Sequence, residues 1–169
     1  MCHLTQAWLA LYVLVAAPWI AMAGCASSQA KLASSGAEPR AGDSTEIRGL
    51  LARYETALNA GDVDGVMSVY GAAPVFMPQH MPASVGREAV RSTYAQIFTQ
   101  IRLAIRFEVD EVEVLGDSAW ARTRSSGRVT VLASGNEGDE SNQELFILRR
   151  ESEGWRISRY IFTTTNPPR

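Results

Sequence analysis

Sulfur is almost absent from this chain in any reactive form. Of its 169 residues only two are cysteines, Cys2 and Cys25. Both stand near the start, so everything after them lacks a disulfide framework and thiol chemistry and must be held together by its core alone. Histidine is as scarce, with only His3 and His80. His3 falls in an apolar leader, so the two cannot share a metal site. Asp62 and Asp64 look like a metal pair on paper, but helix capping accounts for Asp62. No phosphate-binding glycine loop, dinucleotide fingerprint, serine triad or zinc-ligand spacing is found, so neither a cofactor nor a metal is expected. A large charge of either sign is lacking too. The formal net charge is -2 and no block of lysine or arginine occurs, which argues against a nucleic-acid partner. Internal repeats are absent.

The first segment, MCHLTQAWLALYVLVAAPWIAMAGC, contains no Asp, Glu, Lys or Arg. From Ala7 to Gly24 it is almost wholly apolar, as an export signal is. Its end, Met22-Ala23-Gly24-Cys25, resembles the bacterial lipoprotein signal, which would make Cys25 the residue that takes lipid. Plain secretion and an uncleaved membrane anchor are the competing readings. The run is slightly short of the roughly 20 residues a span needs, and Pro18 interrupts it. Ala26 to Asp43 is small and polar with no apolar period. It reads as a flexible tether of about 20–25 Å root-mean-square span. The resulting plan is a signal peptide over 1–24, a lipidated Cys25 with a tether to 43, a folded domain over 44–165 and a tail over 166–169. The corresponding location is a bacterial cell envelope, with the domain facing the periplasm or the exterior.

Within the domain, Asp43 with Glu46 three residues on predicts a capped helix start. Ile47, Leu50, Leu51, Tyr54 and Leu58 recur at helical spacing, and Gly61 ends that helix. Asp62 caps a second helix in which Val63, Val66, Met67 and Tyr70 face inward. Pro74 forces an extended exit, so Val75 to Met77 reads as a short strand. A breaker-rich loop over Pro78 to Gly86 precedes a third helix, Arg87 to Ile101, with Val90, Tyr94, Ile97, Phe98 and Ile101 on one stripe. From Leu103 the period changes from 3.6 to 2. A bulge is expected at Asp110-Glu111 and a hairpin turn at Gly116-Asp117. Ser118 to Leu132, Gln143 to Arg150 and Trp155 to Thr165 complete the strands, with a loop over 133–141. Helices followed by hairpin-linked strands predict an α+β domain, one curved sheet folded around the helices with a cavity between them.

RYETALNAGDVDGVMSVY, then FMP with VGREAVRSTYAQIF, then four strands ending in GWRISRYIF, resemble the nuclear transport factor 2-like superfamily. Within it the similarity is to SnoaL-like and ketosteroid-isomerase-like domains, over roughly Ser44 to Thr165. The resemblance implies a cone-shaped domain, three N-terminal helices packed in a strongly curved antiparallel sheet, with a deep apolar pocket. Homodimers through the sheet face are common in that family. Its isomerases use a carboxylate base, and a tyrosine with a neutral carboxylic acid that together bind a developing enolate oxygen. Carried over residue by residue, the tyrosine falls on Tyr54, the acid on Glu144 and the base on Pro78, which accepts no proton. Met77 and Gln79 flank it, and His80 is the one nearby group able to shuttle a proton.

Tyr54, His80 and Glu144 are therefore the candidate catalytic residues. Alternatively, Tyr54 is a core aromatic, His80 a solvated loop residue and Glu144 an exposed strand carboxylate. A ligand pocket would draw on Tyr54, Tyr70, Phe76, Met77 and His80 from the first half of the domain. It would also draw on Tyr94 and Phe98, and on Trp120, Glu144, Phe146 and Tyr160 from the strands. Arg122, Arg124 and Arg128 share a strand face, either solvated or offering one anchor for an acidic ligand. Three functions follow: an envelope-tethered module binding a small apolar or amphipathic molecule; a SnoaL- or isomerase-like enzyme acting on a polyketide- or steroid-like substrate; or a dimeric interaction domain without ligand. Because the base position falls on Pro78, isomerase chemistry in its usual form is not expected.

Overall fold

The computed structural model describes residues 40–167. The expectations placed on residues 1–39, including the signal, Cys25 and most of the tether, lie outside them, as do residues 168–169. Among the described residues no helix is long and apolar enough to cross a membrane.

Helix α1 (Asp43–Ala60) buries its predicted stripe, Ile47, Leu50, Leu51, Tyr54 and Leu58. Its N-cap is Gly42 rather than Asp43. Asp43 instead sits in the first turn, where it accepts from Arg40 N at 2.8 Å and Trp155 Nε1 at 3.2 Å and pairs with Arg150 at 2.5 Å. The guanidinium of Arg150 also lies 4.4 Å above the Trp155 ring. Gly61 ends α1 in the left-handed conformation, φ 64°, and its N–H satisfies the last carbonyls. Asp62 caps α2 (Val63–Val69) by accepting from Gly65 N at 2.9 Å.

Strands β1 (Tyr70–Met77) and β2 (Ser84–Val85) come next, before α3 (Arg87–Gln100). Then follow β3 (Ile101–Leu115), β4 (Ser118–Val131), β5 (Glu137–Glu151) and β6 (Gly154–Thr164). The six strands lie in the order β2-β1-β6-β5-β4-β3.

The expected cone, with three helices held in a strongly curved antiparallel sheet, needs correcting. The domain is α+β with three helices, but the sheet is mixed, neither closed nor strongly curved. β1 runs parallel to β6, while the other neighbours are antiparallel. The cause is connectivity. Hairpins join β3 through β6 into a meander, whereas β1 enters from α2 and is added at the free edge of β6. β2 and β3 are the two edge strands.

Two irregularities set which side chains face inward. A register shift falls between Val109 and Glu111 on β3, at the expected bulge. A second, on β6, pairs Leu148 with Ile157 but Ile147 with Arg159, so Ser158 is the extra residue. Trp155 and Ile157 point inward before it, and Tyr160 rather than Arg159 does so after it. Gly127 has no room for a side chain, since a Cβ there would lie 2.1 Å from the Ala104 carbonyl oxygen across the β3–β4 ladder.

Candidate functional site

Alternation along β5 directs Asn142, Glu144, Phe146 and Leu148 to one buried face. Opposite them on β4 stand Ser125 and Thr123, and on β6 Tyr160 and Phe162. Against this face pack Tyr54 from α1, Phe76 from β1 and Tyr94 from α3. The rings stack: Phe146 on Tyr160 at 4.2 Å, Tyr160 on Phe76 at 5.5 Å and Phe76 on Tyr94 at 4.7 Å between centroids.

The stack leaves a cavity of about 300 Å³. Tyr54, Phe76, Tyr94, Glu144 and Tyr160 wall its buried end, and all five were predicted pocket residues. Ile105, Leu103 and Ile97 add apolar wall. Pro78, Gln79 and Met81, from the loop after β1, reach its rim. The position that the resemblance gives to the base thus lies at the cavity, and proline occupies it.

The remaining predicted pocket residues lie elsewhere. Tyr70 is buried behind the wall, bonded to Tyr94, and Phe146 is buried in the core beneath Tyr160. Phe98 packs over Gly61, and Met77 and Trp120 are half-buried, off the cavity. His80 is exposed, with its backbone in the left-handed region at φ 61°, and does not line the cavity. Arg122, Arg124 and Arg128 are exposed on the outer face and pair with Asp110 at 2.8 Å, Glu108 at 2.7 Å and Glu137 at 2.8 Å. No anchor for an acidic ligand enters the cavity from them. Among the described residues no three His, Cys, Asp or Glu side chains are placed to hold a metal.

Two hydrogen-bonded systems face the cavity. In the first, the Tyr94 hydroxyl lies 2.5 Å from that of Tyr54 and 2.9 Å from that of Tyr70. Burial pushes all three phenols above their ordinary pKa, so they remain neutral donors at physiological pH. If Tyr70 donates to Tyr94 and Tyr94 to Tyr54, the Tyr54 proton is left for an oxygen in the cavity.

In the second, Glu144 is 5% exposed and accepts from Thr123 Oγ1, from Ser125 Oγ at 2.7 Å and from Tyr160 OH at 3.3 Å. Burial raises its pKa to about 6 against the pull of these three donors. Thr123 bonds Oε2 while Ser125 and Tyr160 share Oε1, so Oε2 keeps a lone pair for another partner. A carboxyl near neutrality beside a neutral phenol donor, in an apolar cavity, suits proton transfer at a polarised carbon.

The chain matches a SnoaL-like domain over residues 47–163. Among solved structures, a ketosteroid isomerase-like protein from Erwinia carotovora atroseptica is 30% identical, with 72% of this chain and 95% of that one covered at a TM-score of 0.68. A conserved protein from Planctomyces limnophilus is 20% identical over 74% of this chain and 99% of that one, TM-score 0.66. A nuclear transport factor 2-like superfamily protein from Salmonella enterica is 15% identical over 73% and 91%, TM-score 0.65. These last two share the fold. No curated protein matches the sequence.

Proposed function

The chain belongs to the SnoaL-like domain family, and from that premise we propose that it is an enzyme moving a proton at the carbon next to a carbonyl of a small, largely apolar substrate of polyketide- or steroid-like character. The observation that carries this reading is Glu144, a buried cavity carboxyl with a pKa of about 6 and no cation among its bonded partners. Tyr54 donates to the carbonyl oxygen and holds the charge that develops there, with Tyr94 bonded behind it. Ionised Glu144 takes the proton from the adjacent carbon and returns it, so one carboxyl does both halves of the transfer. Pro78 is then no obstacle, since the acid–base group comes from β5 and not from the loop after β1.

The test is α-hydrogen exchange of 1-tetralone in deuterated buffer, followed by NMR. Glu144→Gln is expected to slow exchange about 10²–10⁴-fold while 1-tetralone is still bound. If bound 1-tetralone exchanges no faster with the natural chain than with Glu144→Gln, the domain is a binding module and the enzyme reading fails.

We propose further that this domain works on a lipid tether at Cys25 and as a homodimer. The small-residue run before Cys25 supports the first, and the exposed Leu145, Ile147 and Ile161 on the outer sheet face support the second. The mature chain should then carry acyl mass on Cys25 that Cys25→Ser abolishes, and the detergent-extracted chain should sediment as a dimer. A natural chain without acyl mass would refute the lipid, and a monomer the dimer.

A further inference from the structure

Asn142 stands two residues before Glu144 on the same inward face of β5 and lines the same cavity. It is 6% exposed. Its Nδ2 donates to Ser125 Oγ at 3.3 Å, and Ser125 in turn donates to Glu144. That chain of donors fixes the amide's orientation, because Ser125 has given its one proton to the carboxylate and accepts from Asn142. The amide oxygen is left over. Asn142 Oδ1 is buried and is without a hydrogen-bond partner among the described residues. An unpaired buried acceptor is costly to a fold, and a native one calls for an explanation. Asn142 borders the cavity, and although Oδ1 itself is closed to water in this structure, a side-chain shift on binding would bring it to a ligand hydroxyl.

We propose that Asn142 is a recognition residue whose Oδ1 accepts a hydrogen bond from a hydroxyl of the substrate. This deepens the enzyme reading above and rests on it for the carbonyl. Residues two apart on a strand are separated by about 7 Å, roughly the width of a substituted six-membered ring. The substrate class is therefore a hydroxylated cyclic ketone, with its carbonyl oxygen at Tyr54, the adjacent carbon at Glu144 and its hydroxyl on the far side of a ring at Asn142. The acceptor sets a sign as well: a hydroxyl proton satisfies Oδ1, whereas an ether or keto oxygen at the same place would face it lone pair to lone pair.

The test compares 6-hydroxy-1-tetralone with 1-tetralone by titration calorimetry, with α-exchange read on both. The natural chain is expected to bind the hydroxylated probe about tenfold more tightly. Asn142→Leu, nearly isosteric but without an acceptor, is expected to bring that ratio to about one, and Asn142→Ala should do the same if leucine perturbs the fold. The proposal is overturned if the natural chain shows no preference for the hydroxyl, or if the preference survives in both variants. Its failure is separable from that of the enzyme reading. A hydroxyl preference that depends on Asn142, with no exchange on either probe, upholds the recognition role and removes catalysis. Exchange on both probes without preference does the reverse.

Discussion

Glu144 meets three hydroxyl donors, and the sum of opposing effects on it fixes how the site responds to pH. The donors favour the carboxylate, burial disfavours it more, and the group titrates near 6. Exchange catalysed by the carboxylate should therefore rise through about pH 6 and level off above it, since the phenols stay neutral there. An exchange rate flat from pH 5 to 8 would remove Glu144 from the chemistry. At this scale the sequence was legible where a period carries the information. Tyr54 lies on a helical stripe, and Glu144 shares strand phase with Phe146 and Leu148. The same phase points Asn142 inward, but an asparagine beside the expected loop carries no apolar signal that would mark it. His80 was singled out for its chemistry and its closeness along the chain to Pro78, but a left-handed residue on an exposed loop is steered by backbone geometry that no periodicity encodes.

Among the elements, α1 and β3 show how an edge strand can be closed by a helix. Asn59 Nδ2 donates to Ile105 O at 2.7 Å, and Ile105 N donates back to Asn59 Oδ1 at 2.9 Å. Two residues along the strand, Phe107 N donates to Glu55 Oε2 at 2.6 Å, and two further, Arg48 donates to Val109 O at 2.8 Å. Side chains of one helix thus take the place of a seventh strand, and the edge cannot pair with another chain along that stretch. Asn59→Ala removes two of these bonds and should cost about 1–3 kcal/mol. Urea unfolding would show a lower midpoint with an unchanged slope, and the Ile105 amide would exchange faster. An unaltered midpoint would mean that water serves this edge as well as Asn59 does. The elements themselves follow from the pattern of apolar residues, and most begin and end within a residue or two of expectation. Three do not: β1 starts at Tyr70 rather than Val75, β2 falls in an expected loop, and β5 starts at Glu137, inside another expected loop, because backbone pairing with β4 extends the hairpin through residues whose side chains carry no strand signal. The parallel β1–β6 pair is equally invisible locally, since it joins segments far apart in the chain.

For the molecule as a whole, two buried carboxyls, Asp43 and Glu144, shift stability with pH in opposite directions. Asp43, tied to Arg150, Arg40 and Trp155, has its pKa lowered from 3.8 to about 2. In that interval the unfolded chain binds more protons at this group, so stability is full above 3.8 and is lost as pH falls through about 2. Glu144 has the opposite sign. Its pKa rises from 4.5 to about 6, so between those values the folded chain holds the proton that the unfolded chain has released. Stability therefore falls as pH rises through this interval, by about 2 kcal/mol in all, and is level above it. The two effects have opposite signs, so the charge that makes Glu144 a base is also one that the fold must carry. Urea unfolding across pH 2 to 8 separates the groups: Glu144→Gln should flatten the fall between pH 4.5 and 6, and Asp43→Asn should reduce the acid limb, to which Asp110, its pKa lowered by Arg124, also contributes. Should the fall between pH 4.5 and 6 persist in Glu144→Gln, the raised carboxyl lies elsewhere, and the assignment of the cavity's acid–base group falls with it.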